Sequence, residues 1–233
     1  YPDQLGQVEF NSLAGGSDEV DGVSGDNDTV SYWGTVFDGN SLTGVTVDLS
    51  NTSLENGASP ATDPAGNTDK LSNIDDIQGT SASDTLIGND ANNILMGDGG
   101  TDTLTGNGGA DTFSLGNNKY YHPNITSSSD ADTITDFSTS DGDKIRFGAD
   151  ALDANGGSMT LVTVADFNGG NQIISDTASN IMVADVSSFS NSSGVLAYAI
   201  DSGALIYSSN GTFASSAETI ANLAGAPSLT SDS

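Results

Sequence analysis

Residues 79–114 read GTSASDTLI GNDANNILM GDGGTDTLT GNGGADTFS, four units of nine residues in one phase. Gly79, Gly88, Gly97 and Gly106 open the units. The sixth place holds Asp84, Asn93, Asp102 and Asp111, and the eighth holds Leu86, Leu95, Leu104 and Phe113. A helix repeats near 3.6 residues and a strand near 2, so a period of nine fits neither alone. It fits a six-residue turn followed by a three-residue strand. The eighth residue then points inward, and the seventh and ninth point outward. Two units make one coil, which stacks Leu86 on Leu104 and Leu95 on Phe113. The core is a thin apolar ladder between two sheets.

The phase extends outward from this stretch. Asp75 and Ile77 take the sixth and eighth places of an earlier unit, and Asp69 and Leu71 look like another turn slightly out of phase. GGSDEV (15–20) and GDNDTV (25–30) repeat the idea around Asp18 and Asp28. Between them, SLTGVTVDLS (41–50) alternates like a strand, and 51–69 reads as a polar loop. After Ser114, a loop carrying Tyr120, Tyr121 and the only histidine, His122, leads to two strands, at 133–137 and 144–147, joined by an acidic turn. The runs MTLVTV, NQIISD, NIMVADV, VLAYAID and ALIYSS read as further strands, the last two joined through Asp201 and Gly203. Ser215 and Ser216 predict a short capped helix over 217–223, ended by Gly225 and Pro227. These readings divide the chain into 1–65, 66–114 and 115–233.

The 233 residues carry 32 acids against 4 bases, a net charge of −28. Such a chain repels nucleic acid and anionic lipid and attracts cations. Only Glu9, Glu19, Glu55 and Glu218 are glutamate; the other 28 acids are aspartate. Solubility alone does not select the shorter acid, whereas tight turns do, because Asp bonds to nearby backbone. The absence of cysteine removes disulfides, thiolate-bound zinc and thiol catalysis. A thin core without disulfides needs another staple, and metal is one. YPDQLGQVEF has neither the basic nor the apolar run of a signal peptide, and no apolar stretch is long enough to span a bilayer. No HExxH, GxSxG or phosphate-binding loop is present, His122 reads as a surface residue, and the chain is expected not to be an enzyme.

Asp84 and Asp102 lie 18 apart on one edge of the coil, Asn93 and Asp111 on the other. Between stacked turns their oxygens, with the backbone carbonyls around Gly97, Gly99, Gly106 and Gly108, form an all-oxygen cage. Such cages suit Ca²⁺, which takes six to eight oxygens in flexible geometry, better than Mg²⁺. Asp69, Asp28 and Asp18 are further candidate ligands with less regular phase. The competing reading is that these side chains close their own turns without metal. Asp136, Asp141 and Asp143 read either as a further cation site or as a solvated acidic turn. Ile94 and Met96 point outward and are expected to lie under a C-terminal strand.

GDGGTDTLT and GNGGADTFS resemble the GGxGxDxUx nonapeptide of RTX proteins, and GNDANNILM resembles a variant with Asn93 for the usual Asp. DTITDF with GDKIRF is similar to the segment that follows such repeats, and the tail from Val195 is similar to the end of RTX C-terminal domains. The resemblance covers about 13–32 and 66–232. It implies an all-β chain: a right-handed parallel β-roll with Ca²⁺ between its turns, flanked by a C-terminal β-rich cap with one short helix. It also implies type I secretion to the cell exterior. The expected role is a calcium-folded, non-enzymatic domain of a cell-surface protein of adhesin or S-layer type. Its partners would be calcium ions, with other copies of itself or a surface polysaccharide. The alternative is the accessory domain of a secreted protease, lipase or epimerase. A salt-adapted protein with no specific metal is a third reading, against which the Asp/Glu imbalance argues.

Overall fold

The computed structural model of the chain describes residues 9–11, 16–25, 27–33, 43–115, 131–147, 160–164, 174–175, 181–183, 195–199, 203–208 and 217–225. Within 79–114, each unit forms one three- or four-residue strand: β8 (Thr85–Ile87), β9 (Ile94–Met96), β10 (Thr103–Thr105) and β11 (Thr112–Leu115). In β8, β9 and β10 the middle residue is buried and its neighbours half-buried, as a half-covered strand requires. Successive strands alternate between two sheets. Leu104 pairs with Leu86 in one, and Phe113 with Leu95 in the other, all in parallel register.

The coil continues on both sides. In the first sheet, β1 (Glu9–Asn11), β3 (Thr29–Ser31) and β7 (Asp76–Gln78) precede β9 and β11, and β13 (Lys144–Phe147) and β16 (Ile181–Val183) follow. Its ladder runs Val30, Ile77, Leu95, Phe113 and Ile145. In the second sheet, β4 (Thr46–Asp48), β8, β10, β12 (Asp132–Ile134) and β19 (Ala217–Leu223) stack Val47, Leu86, Leu104, Ile134 and Leu223. All ten of these side chains are buried. Phe137, just beyond β12, closes the core against Phe113 with ring centroids 6.0 Å apart.

Two readings change. The stretch 51–69 is not a plain loop. After a 3-10 turn at Glu55–Gly57 it forms an antiparallel hairpin of β5 (Ser59–Thr62) and β6 (Thr68–Ser72). Asp63-Pro-Ala-Gly66 makes the bend, with Gly66 left-handed and the Asp63 carboxylate accepting from Asn67 N–H at 2.7 Å and from its side-chain amide at 3.0 Å. The hairpin widens the second sheet between β4 and β2 (Glu19–Asp21), while β3 and β7 stay adjacent in the first. Tyr32, wholly buried, sits just after β3 at this mismatch and reaches Asp69 of β6 with its hydroxyl.

The helix expected over 217–223 is absent: those residues are β19, parallel to β12 and antiparallel to β18 (Ala204–Ser208). Two exposed ladders on either side outweigh a local cap. Strands at 133–137, MTLVTV, NQIISD, NIMVADV, VLAYAID and ALIYSS are present as β12, β14 (Thr160–Val164), β15 (Ile174–Ser175), β16, β17 (Val195–Ala199) and β18. The first is one residue displaced and shorter. In the first sheet, β16 extends the edge beyond β13; Ile94 and Met96 are half-buried, beside Gln78, Thr112 and Ser114 in register. Tyr120, Tyr121 and His122 lie outside the described residues. No described helix is long and apolar enough to cross a membrane.

Candidate metal centre

The strands of the four units and β3, β7 and β13 are each preceded by an acid or its amide, and Asp132 opens β12; register aligns these into two ladders. On one edge Asp84, Asp102 and Asp132 are neighbours; on the other, Asp28, Asp75, Asn93, Asp111 and Asp143. Each carboxylate accepts a backbone N–H from the preceding rung: Asp84 N–H donates to Asp102 Oδ1 at 2.8 Å and Asp102 N–H to Asp132 Oδ1 at 3.0 Å. Opposite, Asn93 N–H donates to Asp111 Oδ1 at 2.8 Å and Asp111 N–H to Asp143 Oδ1 at 2.9 Å. Asp132 and Asp143 stand 30 and 32 residues beyond their partners, not 18.

The second oxygens divide the turns into two kinds. In unit 79–87, Thr80 N–H and hydroxyl donate to Asp84, at 2.6 and 2.9 Å, and Val45 N–H donates to Oδ1 at 2.6 Å. In unit 88–96, Asn89 N–H donates to Asn93 Oδ1, and Asn93 Nδ2 donates to the Asp75 carbonyl at 2.6 Å. Asp69 accepts from Asp18 N–H at 2.9 Å and from the Tyr32 hydroxyl at 3.0 Å, and Asp28 accepts from Val23 N–H. Asp18 itself is half-buried. These turns are closed by protein.

Units 97–105 and 106–114 are open. Asp98 and Asn107 take left-handed φ of 67° and 68°, and Gly100 and Gly109 take 103° and 110°. The second-position N–H of Asn107 turns away to Asp136, which also accepts from Gly106 N–H. Oδ2 of Asp102 and Oδ2 of Asp111 are buried with no hydrogen-bond partner among the described residues. A buried carboxylate oxygen with no donor costs free energy unless a cation meets it.

The opening glycines are close-approach residues. A Cβ on Gly97 or Gly106 would collide with the carboxylate of its own unit, Asp102 or Asp111. Gly99 donates its N–H to the Thr80 carbonyl at 3.2 Å, and a Cβ on Gly108 would come no nearer than 3.5 Å to Asp90. At the fourth place, a Cβ on Gly100 would stand 2.6 Å from the Ala82 carbonyl carbon. The positions that need glycine are therefore the first and fourth, and Gly100 and Gly109 were missing from the sequence-derived set.

Burial raises Asp84 and Asp111 from 3.8 to about 6. It raises Asp102 further still, first by desolvation and then by the charge of Asp132. A carboxyl that is harder to ionise folded than unfolded favours the fold while protonated. The metal-free fold is thus expected to be most stable near pH 4, to weaken as pH rises through about 6, and to keep weakening above that through Asp102. In EDTA, melting should occur at higher temperature at pH 5 than at pH 7.5, and saturating Ca²⁺ should flatten or invert that trend. A metal-free form that melts higher at pH 7.5 would contradict this assignment.

Among the described residues no three acidic, histidine or cysteine side chains converge on one point. A cation here would combine one or two carboxylates with backbone carbonyls, a donor set of oxygens alone, which fits Ca²⁺. No curated protein matches the chain. The profile of the RTX calcium-binding nonapeptide repeat matches residues 78–113 in four copies. With the parallel two-sheet coil and its aligned acids, this match settles the clock's meaning: residues 78–113 are RTX repeats, and the chain carries a calcium-binding β-roll.

Proposed function

We propose that this chain is the calcium-folded RTX domain of a secreted cell-surface protein of adhesin or S-layer type, non-enzymatic, serving extracellular folding and attachment or assembly. The observation that carries the calcium part is the pair of buried, unpartnered oxygens on Asp102 and Asp111. We assign these two carboxylates as ligands, completed by backbone carbonyls of the open turns and by the acid aligned with each, Asp132 on one edge and Asp143 on the other. When bound, the ion supplies positive charge where burial and neighbouring acids disfavour ionisation. The non-enzymatic part is supported by the use made of the ladder acids, each of which accepts backbone N–H groups in a turn.

Secretion fits the charge. A chain of net charge −28 repels itself when compact, and a ligand that binds only the folded state stabilises it by mass action. Extracellular calcium modules bind at about 10⁻⁴–10⁻³ M. At a hundred times Kd, each site contributes about 2.7 kcal/mol. Such a domain stays loose where calcium is scarce and sets where it is plentiful.

Ca²⁺ titrated into EDTA-treated protein should raise the far-UV β signal with a midpoint near 10⁻⁴–10⁻³ M. Mg²⁺ and NaCl at equal ionic strength should not reproduce it. An unchanged spectrum and melting temperature would remove the calcium reading. Calcium-dependent self-association, or retention on surface polysaccharide, would support the attachment role; a monomer that binds neither would remove it.

A further inference from the structure

We infer that the roll is divided at Gly97 into a metal-independent platform upstream and a calcium-dependent section downstream. The inference rests on the calcium reading above and says which part of the chain needs the ion. Upstream of Gly97, Asp28, Asp69, Asp75 and Asp84 each have a carboxylate engaged by protein. Asp28 takes Val23 N–H, Asp69 takes Asp18 N–H and the Tyr32 hydroxyl, Asp75 takes Asp28 N–H at 3.1 Å, and Asp84 takes the Thr80 and Val45 donors. At the fifth rung the charge is absent, because Asn93 closes the turn as an amide. The two unpartnered buried oxygens both lie downstream, on Asp102 and Asp111.

Among the four repeat units the backbone changes at the same place, although left-handed residues also occur further upstream at Gly16, Gly25 and Asn73. Units 79–87 and 88–96 close with ordinary backbone at Thr80, Ala82, Asn89 and Ala91, while the next two turns carry left-handed residues at the second and fourth places. Thr80 acts as a built-in plug: its hydroxyl and N–H fill the Asp84 carboxylate from within the turn, and Asn89 and Asn93 do the same opposite. The platform also has its own core, with Val30, Val47, Leu71, Ile77 and Leu86 buried on paired strands and Tyr32 buried just after β3. Downstream rungs then add to an existing edge, β8 presenting its ladder to β10 and β9 to β11. Extending a formed edge avoids the loop-closure entropy of starting a new one.

Hydrogen exchange of the full chain, read by mass spectrometry in EDTA and in CaCl₂, tests this. In EDTA, peptides over 45–49, 68–78 and 85–87 should exchange about tenfold or more slowly than peptides over 103–105, 112–115, 132–134 and 144–147. Calcium should slow the second group and leave the first nearly unchanged. The double variant Asp102→Asn/Asp111→Asn should exchange alike in EDTA and in calcium over the downstream peptides. Thr80→Val should lose protection at 85–87 in EDTA, and Thr80→Ser should restore it. Uniformly fast exchange in EDTA that calcium slows everywhere overturns the division and leaves the calcium reading standing. Exchange that calcium changes nowhere overturns both.

Discussion

An alanine at Gly97 should raise the calcium midpoint of the roll by about tenfold or more and lower its calcium-loaded melting temperature, whereas an alanine at Gly108 should change neither. A Cβ at Gly97 would stand 2.7 Å from Asp102 Cγ and 2.9 Å from Asp102 Cβ, and nearer still to Oδ2. That neighbour is not a free end that can swing aside. Asp102 Oδ1 holds Asp84 N–H, and Asp102 N–H is held by Asp132. The methyl must therefore displace the carboxylate assigned to calcium. Overpacking of this kind costs about 1–3 kcal/mol, and each 1.4 kcal/mol is about a factor of ten in affinity. At Gly108 the nearest atom to an added Cβ is 3.5 Å away, an ordinary contact. Calcium titrations of both variants by circular dichroism, with thermal melts, decide the matter. If Gly97→Ala and Gly108→Ala behaved alike, the opening glycine would not be a close-approach residue and the packing of Asp102 against it would be wrong.

How much of this was legible in the sequence depends on which interactions set each feature. The inward ladder of Leu86, Leu95, Leu104 and Phe113 follows from the nine-residue period, because strand geometry fixes which residue faces in once the turn length is constant. Asp132 was missed, and Asp143 was left open between a cation site and a solvated turn, because the spacing between rungs rises from 18 to 30 and 32 residues and breaks the period. Their signal is the triplet of acid, any residue and hydrophobe, Asp132-Thr-Ile134 and Asp143-Lys-Ile145, which matches Asp102-Thr-Leu104. The strand at 217–223 was unreadable for another reason. Its register slips opposite Leu205 and Ile206, so Ile220 is an extra residue, and Ile220, Ala221 and Leu223 are all buried. A bulge breaks the period of two and leaves a spacing that imitates a helix face. The distinction between open and closed turns turned on partners far away in sequence, such as Val45 N–H donating to Asp84 and Asp136 accepting from Asn107 N–H, which no local pattern carries.

Asp102→Asn should have opposite effects with and without calcium, raising the melting temperature in EDTA and lowering it in saturating Ca²⁺. Without metal, Asp102 is a buried carboxyl beside Asp132 whose outer oxygen has no donor. A neutral isostere removes the cost of ionising that buried group, or of keeping it protonated at neutral pH. The amide also suits the place: its oxygen can keep the Asp84 N–H, and its NH₂ then faces the side where Asp132 contributes negative charge. With metal, the same change removes a charged ligand, and with it about 2.7 kcal/mol of linkage at a hundred times Kd. For a chain of this size each kcal/mol moves Tm by about 2–4 °C, so the two melts should move apart visibly. Asp84→Asn is the contrast. Both Asp84 oxygens already accept from protein, at Thr80 and Val45, so an amide nitrogen must face a donor there, at a cost of about 1–3 kcal/mol. That variant should be less stable in EDTA and in calcium alike. Two aspartates, two units apart and at the same place of the repeat, would then answer calcium differently because one turn is filled by a threonine and the other is left for an ion. If Asp102→Asn were destabilising in both conditions, Asp102 would be another closed turn, and the charge it buries would have a protein partner after all.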